Sequence, residues 1–284
     1  MVKFGIHALT WVSKWDESSL DIIDKAKEIG YDLIEIPLFE PNISLSKKVK
    51  ERLDSLEIGC AGSVGLPEFA NITSPEEEVR KVGLEFLKKC VINTAEMGGN
   101  LLAGVIYTVF GPNPTRPATE EEWDYSADAL RETAKFAQSY NVTLGIEAIN
   151  RYETNLINTG KQAKRLKEMV GEPNVGVHLD TYHMNIEERG FYQPIKEADG
   201  DLVHIHMSES DRGIPGTGNV DWDEVFKGLS EIGYSGALTT ETFCSPIPGI
   251  VAASVWRKLI PDSDIFARET LRFLKKKAEE YKLI

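Results

Sequence analysis

The sequence predicts an α/β fold, a single (β/α)8 TIM barrel taking in residues 1–284 as one domain. Three observations predict it. Strand-like and helical runs alternate from end to end, and the alternation can be counted to eight. The repeat recurs every roughly 30 to 35 residues, as a closed barrel of typically ~250 residues requires. An open doubly wound sheet, the rival, carries a glycine-rich phosphate turn after an early strand. Here the glycines of Gly213-Ile-Pro-Gly-Thr-Gly218 follow the seventh strand and match neither dinucleotide nor P-loop spacing.

In chain order, Phe4–Leu9 reads as the first strand, and Ser19–Ile29 as a helix with Leu20, Ile23 and Ala26 on one face and Gly30 as C-terminal cap. Leu33–Pro37 is the second strand, Leu45–Leu56 the second helix, and Ile58–Gly62 a third strand weakened by glycine. Ser74-Pro75-Glu76-Glu77 predicts an N-cap, a proline at N1 and early acids for a third helix. Its apolar stripe is Val79, Val82, Phe86, Leu87, Cys90 and Val91, and such stripes usually face a core. Leu101–Tyr107 is the fourth strand, followed by a proline-rich loop, Gly111–Pro117. Then come a helix over Glu120–Tyr140, strand five over Val142–Ala148, a helix over Lys161–Val170 and strand six over Val175–Leu179. Short helical pieces around Ile186–Ala198 lead to strand seven, Leu202–Met207, and a helix over Trp222–Ile232. Strand eight, Gly236–Glu241, and a long helix over Asp264–Tyr281 end the chain.

With 45 acidic residues against 32 basic ones, a formal charge of −13, and no Lys/Arg cluster, the chain is a poor partner for nucleic acid, whose binding rests on basic residues neutralising phosphates. Cys60, Cys90 and Cys244 have no paired spacing, so buried free thiols are expected rather than disulfides or a thiolate zinc site. Neither a signal peptide nor a run of membrane-spanning length is read, and a cytoplasmic location without membrane attachment is the expectation.

The chemistry is concentrated at the strand ends. Glu147 ends strand five, Asp180 strand six, His206 strand seven and Glu241 strand eight. In a barrel the C-terminal ends of the strands meet on one face, so these residues become neighbours. Taken singly, each could be an ordinary polar residue at the start of a loop. Four on consecutive strands point to one shared site, because three carboxylates and an imidazole are most simply held together by a divalent cation. An oxygen-rich set with one nitrogen and no sulfur suits Mn²⁺, Mg²⁺ or Co²⁺ better than structural zinc. Glu153, His183 and Arg212 follow the same strands as a second ring in the loops. Lone loop residues of these types are usually solvated or capping, and only their repeated placement singles them out.

Four segments carry a resemblance: Ile146–Glu153 (IEAINRYE), Leu179–Glu188 (LDTYHMNIEE), His204–Arg212 (HIHMSESDR) and Pro215–Gly218 (PGTG). They resemble the ketose 3-epimerases of the D-tagatose 3-epimerase and D-psicose (D-allulose) 3-epimerase group, within the xylose-isomerase-like barrels, over nearly the whole chain. The resemblance implies a metal-dependent isomerase acting on free ketohexoses. In it Glu147, Asp180, His206 and Glu241 would hold one divalent ion per chain, Mn²⁺ first, with Co²⁺ or Mg²⁺ as alternatives. Glu147 and Glu241 would also be the acid/base pair, one removing the C3 proton and the other returning one from the opposite face through a cis-enediolate. Glu153, His183 and Arg212 would hold sugar oxygens near the carbonyl.

The resemblance also implies an aromatic cover for the sugar, and the match there is mixed. Trp15 fits, and Trp11 is also present. His7 stands where a tyrosine or phenylalanine is expected, as a buried barrel-mouth histidine or a contact to a sugar hydroxyl. Phe110 replaces a common tryptophan, and Phe243 serves as the apolar wall. Trp123, Trp222 and Trp256 are read as packing residues of outer helices or of a subunit interface. A homo-oligomer, dimer or tetramer, is implied in the same way. The alternatives are an aldose-ketose isomerase of the same superfamily, an endonuclease IV-like phosphodiesterase with a larger zinc cluster, and a non-catalytic sugar-binding barrel.

Overall fold

The computed structural model describes residues 1–111, 115–243, 255 and 257–284. Eight parallel strands pair in sequence order and close on themselves, β1 (Lys3–His7) pairing both β2 (Leu33–Pro37) and β8 (Ala237–Thr240). Between them run β3 (Gly59–Leu66), β4 (Leu101–Val109), β5 (Thr143–Glu147), β6 (Val175–Asp180) and β7 (Leu202–His206). The outer layer is α1 (Asp21–Ile29), α2 (Ile43–Leu56), α3 (Glu77–Glu96), α4 (Glu120–Gln138), α5 (Gly160–Val170), α6 (Thr181–Glu187), α7 (Tyr192–Ala198), α8 (Trp222–Glu231) and α9 (Ser263–Glu280). The predicted barrel is therefore observed.

Local sequence explains most boundaries. Gly30 ends α1 at φ 106°, a left-handed conformation open to glycine. Thr119 with Glu122, and Thr159 with Gln162, form reciprocal capping boxes at the starts of α4 and α5. The prediction for α3 needs correcting: the helix begins at Glu77, and its N-cap is Glu76, without a side-chain cap. Ser74 instead accepts from the Glu76 amide, while Arg80 donates to the Ser74 and Pro75 carbonyls and holds them out of the helical ladder. Its buried stripe runs through Gly83, Phe86, Leu87, Cys90 and Val91; Val82 faces outward, 50% exposed. Gly83 takes the inward place because a Cβ there would lie 2.5 Å from the Ala70 carbonyl oxygen.

Two further differences shape the mouth of the barrel. β1 stops at His7 rather than Leu9, because the His7 ring accepts from the Leu9 amide at 3.2 Å and caps a 3-10 turn over Ala8–Thr10. α6 starts directly after β6, since Asp180 accepts from the Tyr182 amide at 2.8 Å. β3 is longer than predicted; pairing with β2 and β4 carries its backbone through three glycines. Cys60 and Cys90 are buried free thiols, and Trp123 and Trp222 pack in the core as expected. Cys244, Trp256 and positions 112–114 of the proline-rich loop lie outside the described residues.

Candidate active site

Strand register sets the site. Across β5, β6 and β7, Glu147 pairs with His178 and Asp180 with His206, while His7 on β1 pairs with Glu35 on β2. All five histidines of the chain, His7, His178, His183, His204 and His206, are gathered here and buried.

His206 is the centre of the arrangement. Its Nδ1 lies 3.7 Å from Glu147 Oε1, 3.9 Å from Asp180 Oδ2 and 3.5 Å from Glu241 Oε2. None of these is a hydrogen bond, and Nδ1 is buried without a hydrogen-bond partner. A buried imidazole nitrogen left unpaired among three carboxylates is what a cation site looks like from its ligands, since an orphaned buried polar atom is otherwise costly. Ligand atoms of Glu147, Asp180 and His206 all lie within 4.8 Å of one another. The residues present therefore fit a divalent metal ion, and this group of two carboxylates and one imidazole is rich in oxygen donors.

Arg212 closes one side of this ring. Its Nη1 donates to Asp180 Oδ2 at 2.7 Å, Ser208 Oγ at 3.0 Å and Glu241 Oε2 at 3.1 Å. The guanidinium lies 4.1 Å from the Tyr182 ring centre and 5.0 Å from that of Phe243. Arg212 holds a left-handed backbone, φ 65°, a conformation rare for a side-chain-bearing residue. The Arg212 amide donates to the Glu209 carbonyl, and Thr242 Oγ1 donates to the Arg212 carbonyl, fixing that conformation. His183 Nδ1 accepts from the Asn150 amide at 3.0 Å, and burial keeps this ring neutral, with a pKa pressed down to about 3. Asn150 Nδ2 donates to Glu153 Oε1 at 2.9 Å, which ties His183 and Glu153 to one anchor.

Glu147 and Glu241 sit in differing fields. Burial lifts the Glu147 carboxyl well above the carboxylate range, and the charges of Glu241 and Asp180 add to this against the pull of His206. Burial also acts on Glu241, but His206 and Arg212 outweigh it and hold that carboxyl at about 2. Both line one cavity of about 170 Å³ that opens to solvent, together with His7, Phe110, Glu153, His183, Arg212 and Phe243. Every sequence-predicted site residue is thus at the cavity or the acidic ring except Trp15, which is buried in the main core and does not line it. Trp11 donates from its indole to Asp264 Oδ1 at 2.7 Å, tying the first loop to α9.

Sequence reasoning missed four buried polar residues. Glu35 Oε2 lies 2.7 Å from His204 Nε2 and 3.1 Å from His206 Nε2. His178, fully buried, packs its ring 4.3 Å from that of His206. The signal was present: His178 and His204 stand two residues before Asp180 and His206, so strand alternation puts them on the same inner face, and a charge inside the apolar Leu33–Pro37 run calls for a partner. Glu209 accepts from the amides of Ser210, Gly216 and Val220 and from the Trp222 indole, all at 2.8–3.0 Å. It organises the loop that carries Arg212.

The fold and this ring define a class. A family model described as "Xylose isomerase-like TIM barrel" matches residues 23–277, and the chain belongs to that family. Within it the chain is 35% identical to the ketose 3-epimerase of Arthrobacter globiformis, covering 100% of this chain and 99% of that one. It is 36% identical to the L-ribulose 3-epimerase of Methylomonas sp. (strain DH-1), covering 97% and 98%. The crystal structure of D-allulose 3-epimerase from Methylomonas sp. in complex with D-allulose superposes with a TM-score of 0.92 at 36% identity, covering 97% of both chains. The resemblance to ketose 3-epimerases holds over the full length, and the chain is a carbohydrate isomerase of that group.

Proposed function

We propose that the protein is a divalent-metal-dependent ketose 3-epimerase that inverts C3 of a free ketohexose, of the D-tagatose or D-fructose/D-psicose type, or a close relative. The observation that carries the reading is that Glu147 and Glu241, both buried, line one cavity while each approaches the same His206 nitrogen. Inversion requires a base on one side of the carbon and an acid on the other. Two carboxyls whose surroundings push their proton affinities in opposite directions supply that pair. When bound by Glu147, Asp180, His206 and Glu241, a divalent ion, Mn²⁺ before Co²⁺ or Mg²⁺, would supply Lewis-acid stabilisation of the charge that develops on the sugar oxygens.

The rest is done by the chain. In the C3 deprotonation, one glutamate takes the proton and leaves an enediolate; the other delivers a proton to the opposite face. Arg212 and neutral His183, held by Asn150, offer donors to the sugar oxygens around the reacting carbon, and Glu153 accepts from a hydroxyl. Phe110 and Phe243 give the cavity apolar walls that exclude water, and His7 presents an imidazole where the sugar enters the barrel mouth.

The same reading takes the chain as a homo-oligomer; Phe69, 60% exposed, and Val82 on α3, 50% exposed, are large apolar side chains open at the surface. Among the described residues no helix is long and apolar enough to cross a membrane.

The test is incubation of metal-loaded protein with D-fructose, D-tagatose and L-ribulose, followed by chromatography of the sugars. Formation of the C3 epimer from at least one is expected. No C3 epimer from any of them would overturn the reading.

A further inference from the structure

Glu35 lies wholly buried within β2, paired in register with His7 on β1, and no lysine or arginine bridges to it among the described residues. Its compensation comes from imidazoles. Oε2 meets His204 Nε2 at 2.7 Å and His206 Nε2 at 3.1 Å, and Oε1 meets His206 Nε2 at 3.2 Å. A carboxylate has acceptors only, so both Nε2 atoms must carry the hydrogen. For a neutral His206 that leaves the lone pair on Nδ1, the nitrogen that faces Glu147, Asp180 and Glu241 and has no other partner. The His178 ring, edge-on to His206 at 84°, and the His204 ring, 5.1 Å away, fix the plane in which that lone pair points.

We propose that Glu35 is a positioning residue: it selects the Nε2–H form of His206 and holds the ring so that Nδ1 is offered to a divalent cation. His204 is the second donor that pins the carboxylate in place. This rests on the metal-binding reading above, but it concerns a residue that would touch neither ion nor sugar. An outer partner of this kind typically changes metal affinity by 10–100-fold when removed.

Glu35→Gln tests it. The amide is uncharged and replaces one oxygen by an NH2, and because both Oε1 and Oε2 lie within 3.2 Å of His206 Nε2, either orientation turns a donor toward that Nε2–H group. Mn²⁺ affinity measured by calorimetry should fall tenfold or more, with far-UV circular dichroism unchanged. A smaller change in a folded variant would overturn the proposal. A second readout uses the wild-type protein, metal-free and at a pH where the ring is neutral: ¹⁵N–¹H spectra of the imidazoles should show His206 protonated at Nε2, and a proton on Nδ1 would overturn the proposal even if the variant does not fold. If the wild-type protein binds no Mn²⁺ at all, the metal reading of the function fails, whereas the imidazole spectrum still decides the role of Glu35.

Discussion

Glu147 and Glu241 are where the account is most exposed to a single substitution. Replacing either with glutamine keeps shape and removes the proton carrier, and kcat should fall by about 10²–10⁴, the usual contribution of a positioned acid or base. Each glutamate serves one face, so either variant should still exchange the C3 hydrogen of one epimer with solvent while failing to interconvert the two. A Gln variant that keeps metal and more than half its kcat would remove that residue from the acid/base pair. The buried thiols give a prediction in pH. Burial pushes the Cys60 thiol up to about 12 and raises Cys90 as well. In the unfolded chain both ionise near their ordinary value of about 8.5. Above that pH the unfolded state holds fewer protons than the folded one, so stability falls with rising pH until Cys60 itself titrates at about 12. Urea titrations of the wild type and a Cys60→Ala, Cys90→Ala double variant between pH 8 and 10.5 should show the wild type losing more; equal slopes would contradict it. The acidic ring was legible at this scale because its members stand at strand ends, and Glu153, His183 and Arg212 because each follows one of those strands within six residues. Glu35, His178 and His204 were not, since a polar residue inside a strand reads as interruption until alternation is applied to a closed barrel.

Among the elements, the loop from β7 to α8 has the clearest internal logic. Glu209 gathers three amides and the Trp222 indole, and Gly218 is glycine because a Cβ there would come 2.6 Å from Glu209 Oε1 and from Ser210 Oγ. Glu209→Ala leaves several donors unpaired, at about 1–3 kcal/mol for each that stays buried and unsatisfied. The melting temperature should fall by several degrees and kcat should fall too, since Arg212 rides on the same loop; an unchanged melting temperature would contradict this. The sequence motif from His204 to Arg212 marked this loop, but not that Glu209 folds it, because the four donors come from positions up to 13 residues away. Helix ends with capping boxes, at Thr119 and Thr159, could be read directly. The start of α3 could not: Ser74-Pro75 has the composition of a cap, and only Arg80 bonding back to both carbonyls shows that it forms a separate turn.

At the scale of the whole molecule, barrel closure does what no local feature can: it brings Glu147 and Glu241, 94 positions apart by number, to one imidazole. The eight-fold alternation made that closure legible, since period and order are enough to place strand ends on one face. Trp15, assigned to the sugar's cover by resemblance rather than by the alternation, packs in the main core. A cation joining four strands should stabilise the closed barrel by mass action, about 2.7 kcal/mol at a concentration of 100 times its Kd. Adding Mn²⁺ to chelator-treated protein should therefore raise the melting temperature in a concentration-dependent way, and Glu147→Gln or Asp180→Asn should blunt the rise. No shift in the wild type would argue against a shared site. The central claim is that a sugar carbon is deprotonated between two glutamates, and that this carbon is C3. The most direct measurement is NMR of D-fructose after incubation with the metal-loaded protein in D₂O. Deuterium is expected at C3 in both the recovered ketose and its epimer; deuterium at C1, as an aldose-ketose isomerase would leave it, or no deuterium at all, would overturn the assignment.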